Sequence, residues 1–171
     1  QQTNLMQKVR FKPTSHWDFN YALHHSETSD YDRYDRTIRT RNGQPRAAEW
    51  YYGPQVWQMH LLETSFSKRT ALADRITLRT AYQRFEESRN TRDFQSPVRE
   101  SRAEQVDAYS ANLDILKRIS PRHKVFYGAE AVLNEVTSRG SASNINTGTR
   151  FRVDDRYPQS TWQSVAVYAN H

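Results

Sequence analysis

The sequence predicts an all-β fold whose antiparallel strands follow one another up and down. Three observations predict it. Apolar and polar residues alternate with a period of two in several stretches, short connections alternate with long polar ones, and the composition is aromatic but poor in aliphatic residues. The chain has 171 residues, of which 36% are apolar and 12% aromatic. The mean hydropathy is -0.98. This composition suits strands between two different environments better than a globule with a dry centre.

The first two strands are predicted at residues 4–11 and 16–24, separated by the turn composition Lys-Pro-Thr-Ser at 12–15. The second is the clearest strand of the chain, because every second position from Trp17 to Leu23 is aromatic or aliphatic. A helix is untenable there.

A long polar loop is predicted at 25–48, followed by a strand at 49–66. The aromatic cluster of that strand contains the breaker Gly53-Pro54, which indicates a bulge or the mouth of the strand. A short connection at 67–73 leads to a strand at 74–85, where arginines oppose aliphatic residues across the two faces.

The other predicted strands are arranged around residues 102–134. These residues are predicted to form two long strands folded back on each other at 120–123. An amphipathic helix is the rival, because Val106, Tyr109 and Leu113 also fit a helical stripe. This stretch alone leaves the two readings about even, and the neighbouring strands favour the hairpin.

Two further polar loops, at 86–101 and 136–160, and a last strand at 161–169 complete the prediction of about seven strands. Short connections alternate with long loops, which is the asymmetry of a transmembrane β-barrel with short turns on one side and longer loops on the other. The chain is therefore expected to form part of a transmembrane barrel wall. Its apolar residues should point outward, including the aromatic residues Trp17, Trp57, Tyr82, Tyr127, Trp162 and Tyr168.

Several stretches resemble the barrel of a TonB-dependent outer-membrane receptor of the Bacteroidetes type. They are EWYYGPQVW at 49–57, AYQRFEESR at 81–89, YGAE at 127–130, NEV at 134–136, and RYP at 156–158 leading to Trp162. The order and spacing of these stretches together make the resemblance specific.

The resemblance implies a plugged barrel of about 22 strands in the outer membrane of a Gram-negative bacterium. Such a receptor imports a scarce ligand, such as an iron chelate, haem, cobalamin or a glycan, with energy delivered by the TonB system through the plug. Residues 1–171 are expected to be a fragment of that barrel, without the plug. Membrane lipid, lipopolysaccharide and a surface lipoprotein are the expected partners.

The sequence offers no catalytic group and no metal or cofactor site. Cysteine is absent, and the histidines lack ligand spacing. The formal charge of +6 is dispersed among loop residues, so nucleic acid is not expected as a partner. A soluble basic β-sheet protein that binds nucleic acid or glycan remains the alternative to the receptor.

Arginine and aromatic residues of the long loops are the candidate ligand contacts, because planar guanidinium groups and aromatic faces suit sugars and chelates. Most loop arginines are expected to pair with nearby acids. The candidates for the ligand entrance are Tyr31, Tyr34, Arg89, Arg92, Arg156, Tyr157 and Trp162.

Overall fold

The computed structural model describes all 171 residues. It is all-β and antiparallel, with one short helix. The elements of its first half are β1 (Gln2–Phe11), β2 (Trp17–Thr28), β3 (Tyr31–Asp32), α1 (Tyr34–Thr37), β4 (Thr40–Arg41), β5 (Gln44–Pro45), β6 (Ala47–Tyr52) and β7 (Val56–Phe66). Those of its second half are β8 (Arg75–Asp93), β9 (Val98–Ser120), β10 (His123–Asn144), β11 (Arg150–Val153) and β12 (Ser160–Asn170).

Seven long strands form the sheet in the order β1-β2-β7-β8-β9-β10-β12, so the predicted up-and-down topology is confirmed. Short connections at 12–16, 67–74 and 121–122 lie at one end, here called the turn end. The opposite end, called the loop end, carries the other connections. The short strands β3 and β6 extend the sheet there beside β8, and β11 pairs with the last part of β10.

The organising hairpin is confirmed and longer than predicted. Strands β9 and β10 have 23 and 22 residues and pair antiparallel along almost their whole length. The connecting residues are Pro121 and Arg122. The helical reading is therefore wrong. Its apparent stripe mixes residues of the two sheet faces, since Val106 and Tyr109 have opposite parity on β9.

Two of the three predicted polar loops are mostly strand. Strand β8 continues to Asp93 and β9 begins at Val98, so the loop at 86–101 shrinks to a turn. Strand β10 runs on to Asn144 through the predicted third loop. Both faces of these extensions are polar, so the period-two pattern disappears although the backbone hydrogen bonds continue. The first polar loop is broken by β3, α1, β4 and β5.

The predicted strand at 49–66 is two strands, which meet at the Gly53-Pro54 cis peptide. Gly53 has a φ of 129° and packs against Asp30, where a Cβ atom would overlap the Asp30 backbone. Strand β7 pairs with the first part of β8, and β6, which precedes Gly53, pairs with the last part of β8. The breaker thus marks a change of partner along β8.

Residues that pair directly across the strands share a face of the sheet. One face, here the apolar face, carries the predicted apolar set: Trp17, Phe19, Tyr21, Ile76, Leu78, Leu113, Ile115, Val125 and Tyr127. The other, the polar face, carries Asp18, Asn20, Arg75, Arg79, Asn112, Asp114 and Glu130. The predicted division into two parities is confirmed.

Three predicted outer-wall residues lie on the polar face instead. Trp57 pairs with Phe85, Trp162 with Asn134 and Tyr168 with Gly128. Towards the loop end of β7, the residues on the apolar face are the polar His60 and Gln58. The more hydrophobic residues of this part of β7 have the opposite parity and therefore lie on the polar face. The prediction for these three residues is wrong.

The sheet is a single layer with almost no interior. Only 9 of 171 residues are buried, and the buried hydrophobic residues are Ala22, Ala73 and Ala142. No helix has the length and apolar character needed to span a membrane. Most domains bury an apolar sheet face against another layer, and this chain supplies no such layer.

Candidate functional site

An apolar belt crosses the apolar face as four consecutive rows of paired residues. The row nearest the turn end is Trp17, Phe66, Ile76, Ile115 and Tyr127. The next is Phe11, Phe19, Thr64, Leu78, Leu113, Ala129 and Val167, and the third is Val9, Tyr21, Leu62, Thr80, Ala111, Ala131 and Val165. The row nearest the loop end is Gln7, Leu23, His60, Tyr82, Tyr109, Leu133 and Gln163.

None of the four rows contains Lys, Arg, Asp or Glu. On β9 the nearest charged residues of this face are Asp107 and Lys117, ten positions apart. At about 3.4 Å per residue, this is roughly 34 Å along the strand. With the strand tilt of about 40° found in membrane barrels, it corresponds to an uncharged height near 25 Å.

Aromatic rings border the belt on both sides. Towards the loop end the rings of Tyr82 and Tyr109 stack with centroids 5.1 Å apart, and His60 stacks on Tyr82 at 6.2 Å. Towards the turn end the rings of Trp17 and Phe66 lie 4.7 Å apart. Aromatic rows at both borders of an apolar belt are typical of membrane-water interfaces.

Two tyrosine hydroxyl groups at these borders point away from the middle of the belt. The hydroxyl of Tyr82 donates to Asp107 Oδ1 over 2.6 Å, on the loop side. The hydroxyl of Tyr127 donates to the carbonyl oxygen of Leu72 over 2.8 Å, in a turn-end connection. Each ring therefore lies on the belt while its polar tip lies outside it.

Charged groups occupy the polar face directly behind the belt. Arg79 donates through Nε to Glu63 Oε2 over 2.7 Å and also pairs with Asp114, which accepts the hydroxyl of Tyr168. This face also has an apolar patch nearer the loop end, formed by Leu61, Met59, Trp57, Phe85, Val106 and Val136.

An arginine-tryptophan cluster lies on the polar face at the loop end and consists of Trp50, Tyr52, Arg33, Arg36 and Arg89. The guanidinium carbons of Arg33, Arg36 and Arg89 lie 5.2, 5.7 and 6.0 Å from the centre of the Trp50 ring. Arg33 also lies 5.8 Å from the centre of Tyr52. Three cations around one indole can attract an anion while the ring offers a stacking surface.

Strand pairing and one helical turn position this cluster. Tyr52 pairs with Arg89 on β8 and with Tyr31 on β3, and Trp50 lies two residues away on the same face of β6. The backbone N–H of Arg33 donates to the Trp50 carbonyl over 2.9 Å, which fixes the start of α1.

The three arginines of the cluster differ in their hydrogen-bond partners. Arg33 forms a two-point ion pair with Asp35, at 2.7 and 3.0 Å, and this contact lowers the pKa of the Asp35 carboxyl group. The Nε atoms of Arg36 and Arg89 are buried without a hydrogen-bond partner, and Arg36 Nε lies 3.5 Å from Asp35 Oδ2 as a long ion pair. A cleft of about 230 Å³ lies beside Trp50 and is lined by Arg36, Arg39, Arg46 and Asp93.

Glu104 is a shielded carboxylate on the same face. Both of its oxygens are buried without a hydrogen-bond partner, and it lies directly across from Glu87 on β8. Burial raises the pKa of Glu104, and the positive charges of Arg156 and Arg89 oppose this rise. The guanidinium of Arg156 lies 4.8 Å from the centre of the Tyr157 ring. The polar face thus contains a cationic cluster and an acid that resists ionisation.

The structure does not gather the seven predicted entrance residues into one site. Tyr31 and Arg89 meet at Tyr52, whereas Arg156 and Tyr157 lie where the Ser138 hydroxyl oxygen accepts both of their backbone N–H groups. Tyr34 on α1 is 75% exposed, and Trp162 on the edge strand β12 is 62% exposed.

Arg92 lies on the opposite face from the cluster. Together with Arg99 it holds Glu49, through Nε contacts of 2.9 and 2.6 Å, and the hydrogen bond from Arg99 is the main reason that the pKa of Glu49 is lowered. Most of the following ten loop arginines are expected from the sequence to pair with acids: Arg33, Arg36, Arg39, Arg41, Arg89, Arg92, Arg99, Arg150, Arg152 and Arg156. Only half of them do so: Arg33, Arg36, Arg92, Arg99 and Arg152. Their partners are Asp35, Glu49 and Asp155.

Sequence reasoning missed Trp50, Tyr52 and Glu104 as site residues. The spacing of Trp50 and Tyr52 by two was a usable signal, because it places both rings on one face of a strand. Glu104 gave no signal, since its burial depends on pairing with strands far away in the sequence. A scan against protein-family models and a search of curated proteins both found no match to this chain.

Proposed function

We propose that this chain forms part of the barrel wall of a TonB-dependent receptor in the outer membrane of a Gram-negative bacterium. The observation that carries the proposal is the uncharged apolar belt on a single-layer sheet, with aromatic residues at both borders. In a bilayer the belt faces lipid, the aromatic rings lie at the interfaces and the charged face lines the barrel interior.

The alternative, a soluble basic β-sheet protein, requires a second layer over the belt. Val165 and Val167 are 80% and 81% exposed, and the belt spans seven strands. Soluble monomers rarely expose apolar patches of more than a few hundred Å². Lipid covers such a face without any further protein layer.

The outer edges of β1 and β12 support a larger barrel. Each edge strand has 10 or 11 residues and an unpaired row of backbone groups. In hydrocarbon such groups must be paired, and further strands of the wall would pair them. The apolar patch around Trp57 on the polar face is where a plug would pack, and the plug would link the barrel to the TonB system.

The imported ligand belongs to the classes that the resemblance implies: an iron chelate, haem, cobalamin or a glycan. The arginine-tryptophan cluster supports a ligand with negative charge and a planar or sugar-like surface. The loop end faces outward in this proposal, towards lipopolysaccharide and any surface lipoprotein.

Nitroxide spin labels test the membrane placement. The chain has no cysteine, so single cysteines at Leu113 and at its neighbour Asn112 can be labelled alone. In lipid vesicles, the label at 113 should be relaxed by oxygen and not by a water-soluble nickel chelate, and the label at 112 should show the reverse. Shielding of the label at 113 from both reagents would indicate a soluble protein with a covered core.

Ligand binding by the intact receptor tests the candidate ligand contacts. Trp50→Ala should weaken ligand binding at least tenfold, because it removes the ring around which three arginines gather. The Arg156→Ala/Tyr157→Ala double variant should weaken it as well. Heat-modifiable mobility on gels should stay unchanged in both variants. Unchanged affinity in both would show that these residues only shape the loops.

A further inference from the structure

A second charged region lies at the turn end, far from the arginine-tryptophan cluster. The connection at 67–74 folds onto the border of the apolar face instead of projecting from it. Lys117 Nζ donates to the Thr70 carbonyl over 2.5 Å and to Asp74 Oδ1 over 3.0 Å. The Tyr127 hydroxyl holds the same connection at Leu72.

A cleft of about 450 Å³ lies between this connection and the ends of β9 and β10. Apolar side chains form much of its lining, and two of them are unusually exposed for their size. Leu72 is 76% exposed and Ile119 is 64% exposed. Arg69 and Arg118 also line the cleft. A surface of this kind has an apolar part and a cationic part side by side.

The acids of this end leave both arginines free. Asp74 is the acid of the connection, and it accepts Lys117 Nζ and the backbone N–H of Arg118. These contacts lower the pKa of Asp74, so it stays ionised and compensates Lys117. No carboxylate pairs with the guanidinium of Arg69 or Arg118. Lys68, Arg122 and Lys124 add further positive charge nearby.

We propose that this cleft binds the headgroup of an anionic phospholipid from the membrane leaflet at the turn end. The inference rests on the proposed function, because membrane placement puts the cleft at the border between lipid and water. The guanidinium of Arg69 holds the phosphodiester through paired N–H donors. Arg118 borders the cleft, but its parity on β9 is that of the polar face, so it adds positive charge at this end without holding the phosphodiester. The adjoining part of an acyl chain lies against Leu72, Ile119 and Tyr127.

Two features favour a lipid over a soluble anion. The apolar lining is continuous with the belt through Tyr127 and Val125, so an acyl chain reaches the cleft without crossing water. A free phosphate ion has no apolar part that could contact that lining. Basic residues at a membrane surface attract anionic headgroups, and these lie beside exposed apolar groups that anchor in the interface.

The test uses the full protein in neutral detergent micelles and counts bound lipids by native mass spectrometry. Dioleoyl-phosphatidylglycerol should bind at least tenfold more tightly than dioleoyl-phosphatidylcholine. The Arg69→Ala/Arg118→Ala variant should lose this preference. The matched control, Arg41→Ala/Arg150→Ala, removes two unpaired arginines at the loop end and should keep it.

Each contrary result identifies what failed. Equal affinity for the two lipids, or an unchanged preference in the Arg69→Ala/Arg118→Ala variant, overturns the lipid site. Full displacement of the lipid by inorganic phosphate overturns it too, and indicates a free-anion site. A Leu72→Asn variant should weaken phosphatidylglycerol but not glycerol phosphate. The spin labels at 112 and 113 report membrane placement independently, so loss of the lipid preference with correct label accessibility leaves the proposed function intact.

Discussion

At the scale of single residues, Gly128 marks a position where the sheet has no room for a side chain. A Cβ atom there would overlap the carbonyl oxygen of Leu113 and the ring of Tyr168, which crosses the glycine to reach Asp114. The glycine is thus required by a close approach across three strands.

Gly128→Ala should lower the free energy of unfolding by about 1–3 kcal/mol, because the new methyl group must displace backbone or the Tyr168 ring. Urea titration in lipid vesicles, followed by tryptophan fluorescence, measures it. Gly148→Ala is the control, since its Cβ would meet open space and only its positive φ carries a cost. An effect at Gly128 no larger than at Gly148 would contradict the crowding.

Glu104 and Glu49 should respond to pH in opposite ways. The pKa of Glu104 is raised, so its neutral form favours the fold, and this contribution is lost as pH rises through the folded pKa. The pKa of Glu49 is lowered, so its contribution is present above the ordinary value of 4.5 and is lost as pH falls through the lowered pKa.

Glu104→Gln should therefore stabilise the protein at pH 7, because it removes a shielded negative charge directly across from Glu87. The gain should shrink in acid. Glu49→Gln should destabilise it at pH 7, and that loss should also shrink in acid. Chemical unfolding at pH 7 and pH 4 gives the four values. If both substitutions changed the free energy of unfolding in the same direction at pH 7, Glu104 would have to be well solvated or paired.

At the scale of elements, the up-and-down order places successive connections at opposite ends of the sheet, which are opposite sides of the membrane in the proposed placement. A cysteine at Asn146, in the connection after β10, should react with a membrane-impermeant maleimide in intact cells. A cysteine at Arg122, between β9 and β10, should react only after the outer membrane is opened. Labelling of both sites in intact cells would exclude a membrane between them.

Strand existence could be predicted from the sequence, and so could parity except on β7 and β12, but strand length and the site could not. In the belt one face is apolar and the other is charged, so residues such as Trp17 and Asp18 alternate visibly. Beyond the belt both faces of the strands are polar, so the sequence at 86–93 predicts a loop although the strand continues there. The arginine-tryptophan cluster depends on β6 taking over from β7 as the partner of β8, a long-range pairing that local pattern does not encode.

At the scale of the whole molecule, stability must come from whatever covers the belt. With 9 of 171 residues buried, the chain lacks the apolar burial that offsets the entropy cost of ordering its backbone. The intact protein should stay monodisperse in micelles and aggregate when detergent is diluted away. Analytical ultracentrifugation measures this, and a monodisperse species without amphiphile would contradict the proposal that the belt faces lipid.

The pairing pattern also determines how such a wall can grow. Each long strand pairs with the long strands that precede and follow it in the chain, so the sheet is a ladder of local hairpins. If the sheet is a membrane wall, as proposed, adding one strand would send every later connection to the wrong side of the membrane and put charged loop residues through lipid. Adding two preserves the sidedness of every turn. Duplication of a hairpin is therefore the smallest change by which the wall can widen, and its circumference is restricted to even steps.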